Sequence, residues 1–204
     1  MVVADHNAMG NVSAAQRAAE GSGLAVLAGI EVCSAEEVHS VAIMPDVQSA
    51  GDLEALIWER LPGENVPDVF GMQVLADHED NVEGFCDKML IGACELSLDA
   101  VARAVHQRDG LLIAAHVDRM AFGVIAQLGF IPPDTYDAVE VSANADPAEY
   151  RDEAERLGVP IVRGSDAHQP KDMGRAATRI KMARPVFSEL VKAIRGRDGR
   201  KVIF

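Results

Sequence analysis

The sequence is poor in aromatic residues and in positive charge. Phe, Trp and Tyr make up 4% of its 204 residues, too few for the stacking platforms of single-strand-binding proteins. Nineteen Lys and Arg face 32 Asp and Glu, a formal net charge of −13. A field of that sign repels a polyanion and predicts no broad nucleic-acid binding. It does not exclude a phosphate substrate, because bound divalent cations can dominate the field of a cleft in an acidic protein. The three cysteines, Cys33, Cys86 and Cys94, are odd in number and show no C-x-x-C spacing. Free thiols in a reducing compartment fit that pattern better than a disulfide frame or a structural zinc knot. No apolar run approaches the ~20 residues needed to span a bilayer, and no basic-then-apolar leader opens the chain. The expectation is a cytoplasmic protein with no membrane partner. There is no GxGxxG, Walker loop or GxSxG, no internal repeat and no low-complexity tract. No residue pattern specifies an oligomeric state.

What is present is an ordinary globular balance, 49% hydrophobic and 25% charged, in a chain long enough for one domain with a substantial core. Short apolar strands alternate with amphipathic helices. Strands are expected at "MVVADH", 24–32, 38–45, 111–116, 136–143 and 159–168, with "KVIF" last. Helices are expected at 11–21, at 50–61 with Asp52 as N-cap, and at 97–110 with Ser97 as N-cap. Further helices are expected at 121–129, at 146–158 with Asp146 as N-cap and Pro147 at its first position, and at 185–196. Residues 62–95 break the rhythm with turn formers and a hairpin around His78–Asn81. They are too short for a core of their own and read as an insertion or lid within a single domain, 1–204. The alternation implies α/β architecture with a parallel sheet, either open or closed into a barrel. In both, the active site gathers at the carboxyl ends of the strands.

Those ends carry ligand-type residues. Asp5 and His6 end the first strand, Glu31 lies on the second and His39 opens the third; His116 ends "LLIAAH", and Asp166 and His168 follow "VPIVRG". Each alone has a bland reading: a hydrogen-bonded boundary histidine, a turn cap, a surface ion pair. Together on one edge, imidazoles and carboxylates are the donors preferred by Zn²⁺, Mn²⁺ and Fe, and are costly to cluster without a cation. His78 and His106, in a turn and mid-helix, are left outside this set.

The stretches "VADHNAMG", "LAGIEVCSAEEVHSVAIM", "IAAHVDRM" and "RGSDAH" resemble, in order, later motifs of the polymerase-and-histidinol-phosphatase (PHP) domain family. The resemblance implies a distorted (β/α)7 TIM-like barrel, two or three divalent metals (Zn, Mn or Fe), and hydrolysis of a small-molecule phosphate ester. By the same resemblance His6, Glu31, His39, His116, Asp166 and His168 are metal ligands, with Glu31 bridging, and Asp5 is a catalytic neighbour that tunes His6. Where the family often has A-H-P this chain has Ala-His-Val-Asp-Arg, so Arg119, with its planar fork of donors, is a candidate phosphate clamp. The family's opening His-x-His is absent. The expectation is a barrel short of its first βα unit, either because that unit lies upstream of Met1 or because another element fills the gap. Two other classes compete: an incomplete remnant serving as a metal-binding regulatory or interaction module, and a metal-dependent deaminase or amidohydrolase. The latter needs a His-x-His and usually a carboxylated Lys or Glu base, for which no candidate stands out.

Overall fold

The computed structural model describes residues 1–203. Its elements are β1 (Val2–His6), α1 (Val12–Ala18), β2 (Leu27–Cys33), β3 (His39–Ile43), α2 (Val47–Trp58), the one-turn α3 (Pro67–Phe70), β4 (Val74–Ala76), β5 (Val82–Phe85) and α4 (Leu98–His106). Then come β6 (Leu111–Ala114), α5 (Val124–Leu128), β7 (Ala138–Glu140), α6 (Arg151–Leu157), β8 (Ile161–Val162), β9 (Arg179–Lys181), α7 (Phe187–Ile194) and β10 (Lys201–Ile203). They divide into two compact units. The first holds Met1–Glu37 and Val41–Gly110; the second holds Val38–Ser40 and everything from Leu111. Strand β3 is therefore common to both.

In the first unit the strand order is β1-β2-β3. β1 and β2 pair in parallel, with His6 opposite Glu31. β2 is buried along almost its whole length, as a strand covered on both faces must be. Gly29 permits the close approach of β1, since a Cβ there would lie 2.6 Å from Val2 Cγ1 and 2.9 Å from the Val3 carbonyl oxygen. Only Ser34–Val38 connect β2 to β3, too few residues for a parallel crossover. The Met44 amide donates to the Ala28 carbonyl, joining the far end of β3 to the near end of β2. β3 thus doubles back, a departure from a uniformly parallel sheet, and its first residue lies at the edge where β1 and β2 end. α2 packs on β2 through Ala50, Leu53 and Ile57. Its N-cap is Asp46, which accepts from the Ser49 amide at 2.8 Å; Asp52 lies inside the helix and accepts from Gln48 instead. Ser97 caps α4 as expected, accepting from the Ala100 amide. The antiparallel β4–β5 hairpin is closed by Asp77, which accepts from the amides of Glu79 and Asn81 and from the Asn81 side chain.

In the second unit the order runs from β3 through β6 and β7 to β8. β6, β7 and β8 pair in parallel, and Leu111, Leu112, Ala114, Ala138 and Val139 are fully buried. α6 is preceded by a 3-10 turn at Pro147–Tyr150 in which Asp146 accepts from the Ala148 amide. β8 is shorter than expected, ending at Val162, so that "GSDAH" is irregular chain. β9 and β10 form an antiparallel ribbon on which α7 packs, burying Leu190, Ala193 and Ile194.

The fold is mixed α/β with a parallel sheet. The expected barrel is corrected: no sheet among the described residues closes, because β1 in the first unit and β8 in the second each have a strand neighbour on one side only, and closure requires a ring without edges. No helix among them is long and apolar enough to cross a membrane. Cys33, Cys86 and Cys94 are free and buried.

Candidate metal centre

Successive residues of a strand face opposite ways, so Asp5 and His6 part company at the end of β1. The Asp5 carboxylate accepts from Asn11 Nδ2 at 3.3 Å. His6 Nδ1 lies 3.0 Å from Glu31 Oε2, and Glu31 is buried. A buried carboxylate needs a proton, a cation or several donors to offset its lost hydration. His39, at the start of the returning strand β3, is buried as well. His6, Glu31 and His39 each offer a ligand atom, and these atoms lie within 4.8 Å of one another. Two imidazoles and a carboxylate at that spacing suit Zn²⁺, Mn²⁺ or Fe.

The end of β1 is held by a residue that sequence reasoning missed. Asn7 is fully buried and adopts a left-handed backbone, φ 49°, which Asn tolerates better than most residues. Its Nδ2 donates to the carbonyls of Leu90 and Gly92 at 2.9 and 2.8 Å. Its Oδ1 accepts from the Cys33 amide, and its own carbonyl accepts from Trp58 Nε1. Asn11 does the same for β4, donating to the Val74 carbonyl and accepting from the Ala76 amide. Both asparagines follow the strand-ending histidine in "DHNAMGN". Burial pushes the Cys33 thiol up to about 12.

In the second unit His39 has different company. Its amide donates to the Phe122 carbonyl at 2.9 Å, and its ring stacks on Phe122 with centroids 4.3 Å apart. The buried His116 ring meets it edge-on at 5.4 Å. His116 and Phe122 have φ of 30° and 60°, conformations that cost a bulky residue energy and concentrate at functional sites. The loop between them is tight: a Cβ on Gly123 would lie 2.3 Å from the Arg119 carbonyl oxygen. Arg119 Nη1 lies 2.5 Å from Asp166 Oδ2. Asp166 also has a left-handed backbone, φ 43°, and His168 Nδ1 is 3.8 Å from Asp166 Oδ1 with its ring largely exposed. The structure therefore groups His6 with Glu31 and His39, His116 with His39, and Arg119 with Asp166 and His168.

A family model described as PHP-associated (PHP_C) matches residues 149–198, which include Asp166 and His168. Endonuclease Q from Pyrococcus furiosus, a lesion-specific endonuclease, shares the fold with a TM-score of 0.64 at 20% identity, over 88% of this chain and 41% of that one. Endonuclease Q in complex with a 27-mer duplex carrying an abasic lesion at its active site gives 0.66 at 20% identity, over 87% and 41%. A protein named a metal-dependent phosphoesterase, from Bifidobacterium adolescentis, gives 0.56 at 17% identity, over 86% and 80%. The chain thus spans about two fifths of either endonuclease chain. No curated protein sequence matches it. The likeness to the PHP family read from four motifs is met by an independent family match and by a shared fold.

One expectation is overturned. The resemblance implied a small-molecule ester and the net charge implied no broad nucleic-acid binding, whereas Endonuclease Q, of the same fold, is described in complex with a 27-mer duplex substrate carrying an abasic lesion. The physical reason is averaging. The first unit carries 19 acidic against 5 basic residues, the second 13 against 14. A single net charge describes neither.

Proposed function

We propose that this chain is a metal-dependent phosphoesterase module that hydrolyses phosphodiester linkages in nucleic acid. The observation that carries the reading is the donor set of His6, Glu31 and His39 within 4.8 Å, at strand ends where an α/β fold gathers its chemistry. Those three residues would hold a divalent cation, Zn, Mn or Fe, with His116, Asp166 and His168 as ligands for a second or third. Such a cation supplies Lewis acidity toward phosphate oxygens and water. The chain's own groups do the rest. Glu31 fixes the ring orientation of His6 through Nδ1, which leaves Nε2 to face a ligand. Phe122 covers one face of His39 and shields it from water. Arg119, oriented by Asp166, offers the rest of its donor fork to a phosphoryl oxygen. Asp5, through Asn11, positions the strand end that carries His6. Residues 62–95 serve as an insertion or lid.

The test is metal analysis of the purified protein together with cleavage of duplex DNA carrying an abasic site, with Mn²⁺ or Zn²⁺ supplied. Bound metal and cleavage, both lost in Glu31→Gln, are expected. Metal without cleavage of any phosphodiester would leave a binding module in place of an enzyme. Absence of both would remove the reading.

A further inference from the structure

The charge of the second unit is not spread evenly. Residues 160–204 hold 11 Lys and Arg against 4 Asp and Glu. All four acids are engaged, three of them within the segment. Glu189 takes Arg200 and Lys192, Asp198 takes Lys192, Asp172 takes Arg175, and Asp166 takes Arg119. Of the remaining cations, Arg163 donates to the Ser142 and Ala145 carbonyls and Lys171 lies in a 3-10 turn, while three lie together on the β9–β10 ribbon. Lys181 stands directly opposite Lys201, and Arg179 opposite Ile203. Directly opposed residues share a face, and so do residues two apart on one strand. Arg179, Lys181 and Lys201 therefore project from one face, all exposed, while the less exposed Ile180 and Val202 occupy the other. Arg184 and Arg197, also exposed, lie in the chain flanking the ribbon. None of these five cations has an ion-pair partner among the described residues.

Like charges directly across a strand pair are destabilising. Lysines on an exposed edge guard against aggregation, but that role needs no second lysine opposite the first. A row of cations on a short ribbon fits the phosphates of a nucleic-acid strand, whose contacts set affinity without reading sequence. We propose that the outer face of the β9–β10 ribbon, through Arg179, Lys181 and Lys201, grips the phosphate backbone of a nucleic acid. The inference rests on the reading of nucleic acid as the substrate class, and it adds where the chain holds it.

The experiment measures binding of a short lesion-free DNA duplex by fluorescence anisotropy over a salt series. It compares the wild type, a triple variant Arg179→Gln, Lys181→Gln and Lys201→Gln, and a control triple, Arg17→Gln, Arg60→Gln and Arg103→Gln, with the same change in charge. Loss of three phosphate contacts reduces the slope of log K against log salt by about 2 to 3 and the affinity by about tenfold or more; the control triple leaves both near the wild type. A single Lys181→Glu sharpens the test. It replaces a repulsive cross-strand pair with an attractive one, so its melting temperature holds or rises while duplex affinity falls, which a purely structural role for Lys181 would not produce. Unchanged affinity in the ribbon triple, or an equal loss in both triples, overturns the proposal. So does binding to phosphatidylserine vesicles with none to the duplex. Because these readouts need no catalysis, a failure of the ribbon and a failure of the hydrolase reading are seen separately: Glu31→Gln tests cleavage and metal, the ribbon variants test grip.

Discussion

In the first unit, buried polar groups satisfy one another. Asn7 reaches Leu90, Gly92 and Cys33, Glu31 meets His6, and acidic residues outnumber basic ones 19 to 5 across the unit. In the second, all four acids of residues 160–204 are ion-paired and cations are left facing solvent on a ribbon. The first arrangement suits holding a divalent metal ion; the second suits meeting an extended negative chain. Neither property is visible in a whole-chain charge, and the comparison shows why averaging over unlike units misleads about partners.

The largest expected break in this comparison is Glu31→Gln. Removing the buried carboxylate from beside His6 should abolish metal retention and lower turnover by on the order of 10³, while duplex affinity measured without added metal stays near the wild type. Metal content by mass spectrometry and single-turnover cleavage check it. Full metal occupancy in the variant would move the ligand role elsewhere.

Next in size is Asn7→Ala. It strips three side-chain hydrogen bonds from the end of β1 and leaves the Cys33 amide and two carbonyls unpaired, a loss of about 3 kcal/mol. Urea unfolding should show it as a lowered midpoint, and Asn7→Asp, which keeps the acceptor and loses the donors, should fall between. A wild-type midpoint for Asn7→Ala would mean that these bonds add no net stability.

A smaller effect sharpens the second unit. The Arg200 guanidinium, with the Ala183 amide and Lys192, holds the Glu189 carboxyl down at about 2 against an ordinary value of 4.5. A depressed native value means that the unfolded state binds the proton more readily. The stabilisation is therefore present above about pH 4.5 and is lost as pH falls toward 2. Glu189→Gln should flatten that acid limb in urea midpoints taken across the window, and an unaltered limb would assign it to other carboxylates. The smallest effect concerns reactivity. Burial raises the Cys94 thiol, so iodoacetamide at neutral pH should leave it unmodified in the folded protein and label it after unfolding.

Much of the order of elements was legible. Ser97 and the Asp146–Pro147 pair announced their helices through capping chemistry that acts within a few residues, and Gly129 ends α5 in a left-handed cap. Asp46 was overlooked as the cap of α2 in favour of Asp52, because both precede apolar residues at helical spacing and only the chain direction after Pro45 decides between them. The return of β3 was missed although its signal was present: no helical segment separates 24–32 from 38–45, and a parallel neighbour would need one. The ligand-type residues stood out by residue type and position. Asn7 and Phe122 did not, since one acts through backbone carbonyls distant in sequence and the other through ring stacking, and neither leaves a local pattern. The open sheet was hidden for a similar reason: closure depends on end strands finding each other, which no local spacing records.

The doubling back of β3 has a consequence for when the site can assemble. His6, Glu31 and His39 come from a parallel pair and a hairpin between positions 6 and 39, so the contacts that bring them together span short stretches of chain and low contact order favours early closure. A chain emerging from its N-terminal end exposes all three donors before the basic ribbon has been synthesised. Metal capture would then precede, and help to organise, the folding of everything that follows; refolding from urea with metal present should accelerate if it does, and should be indifferent to metal if the three donors meet late.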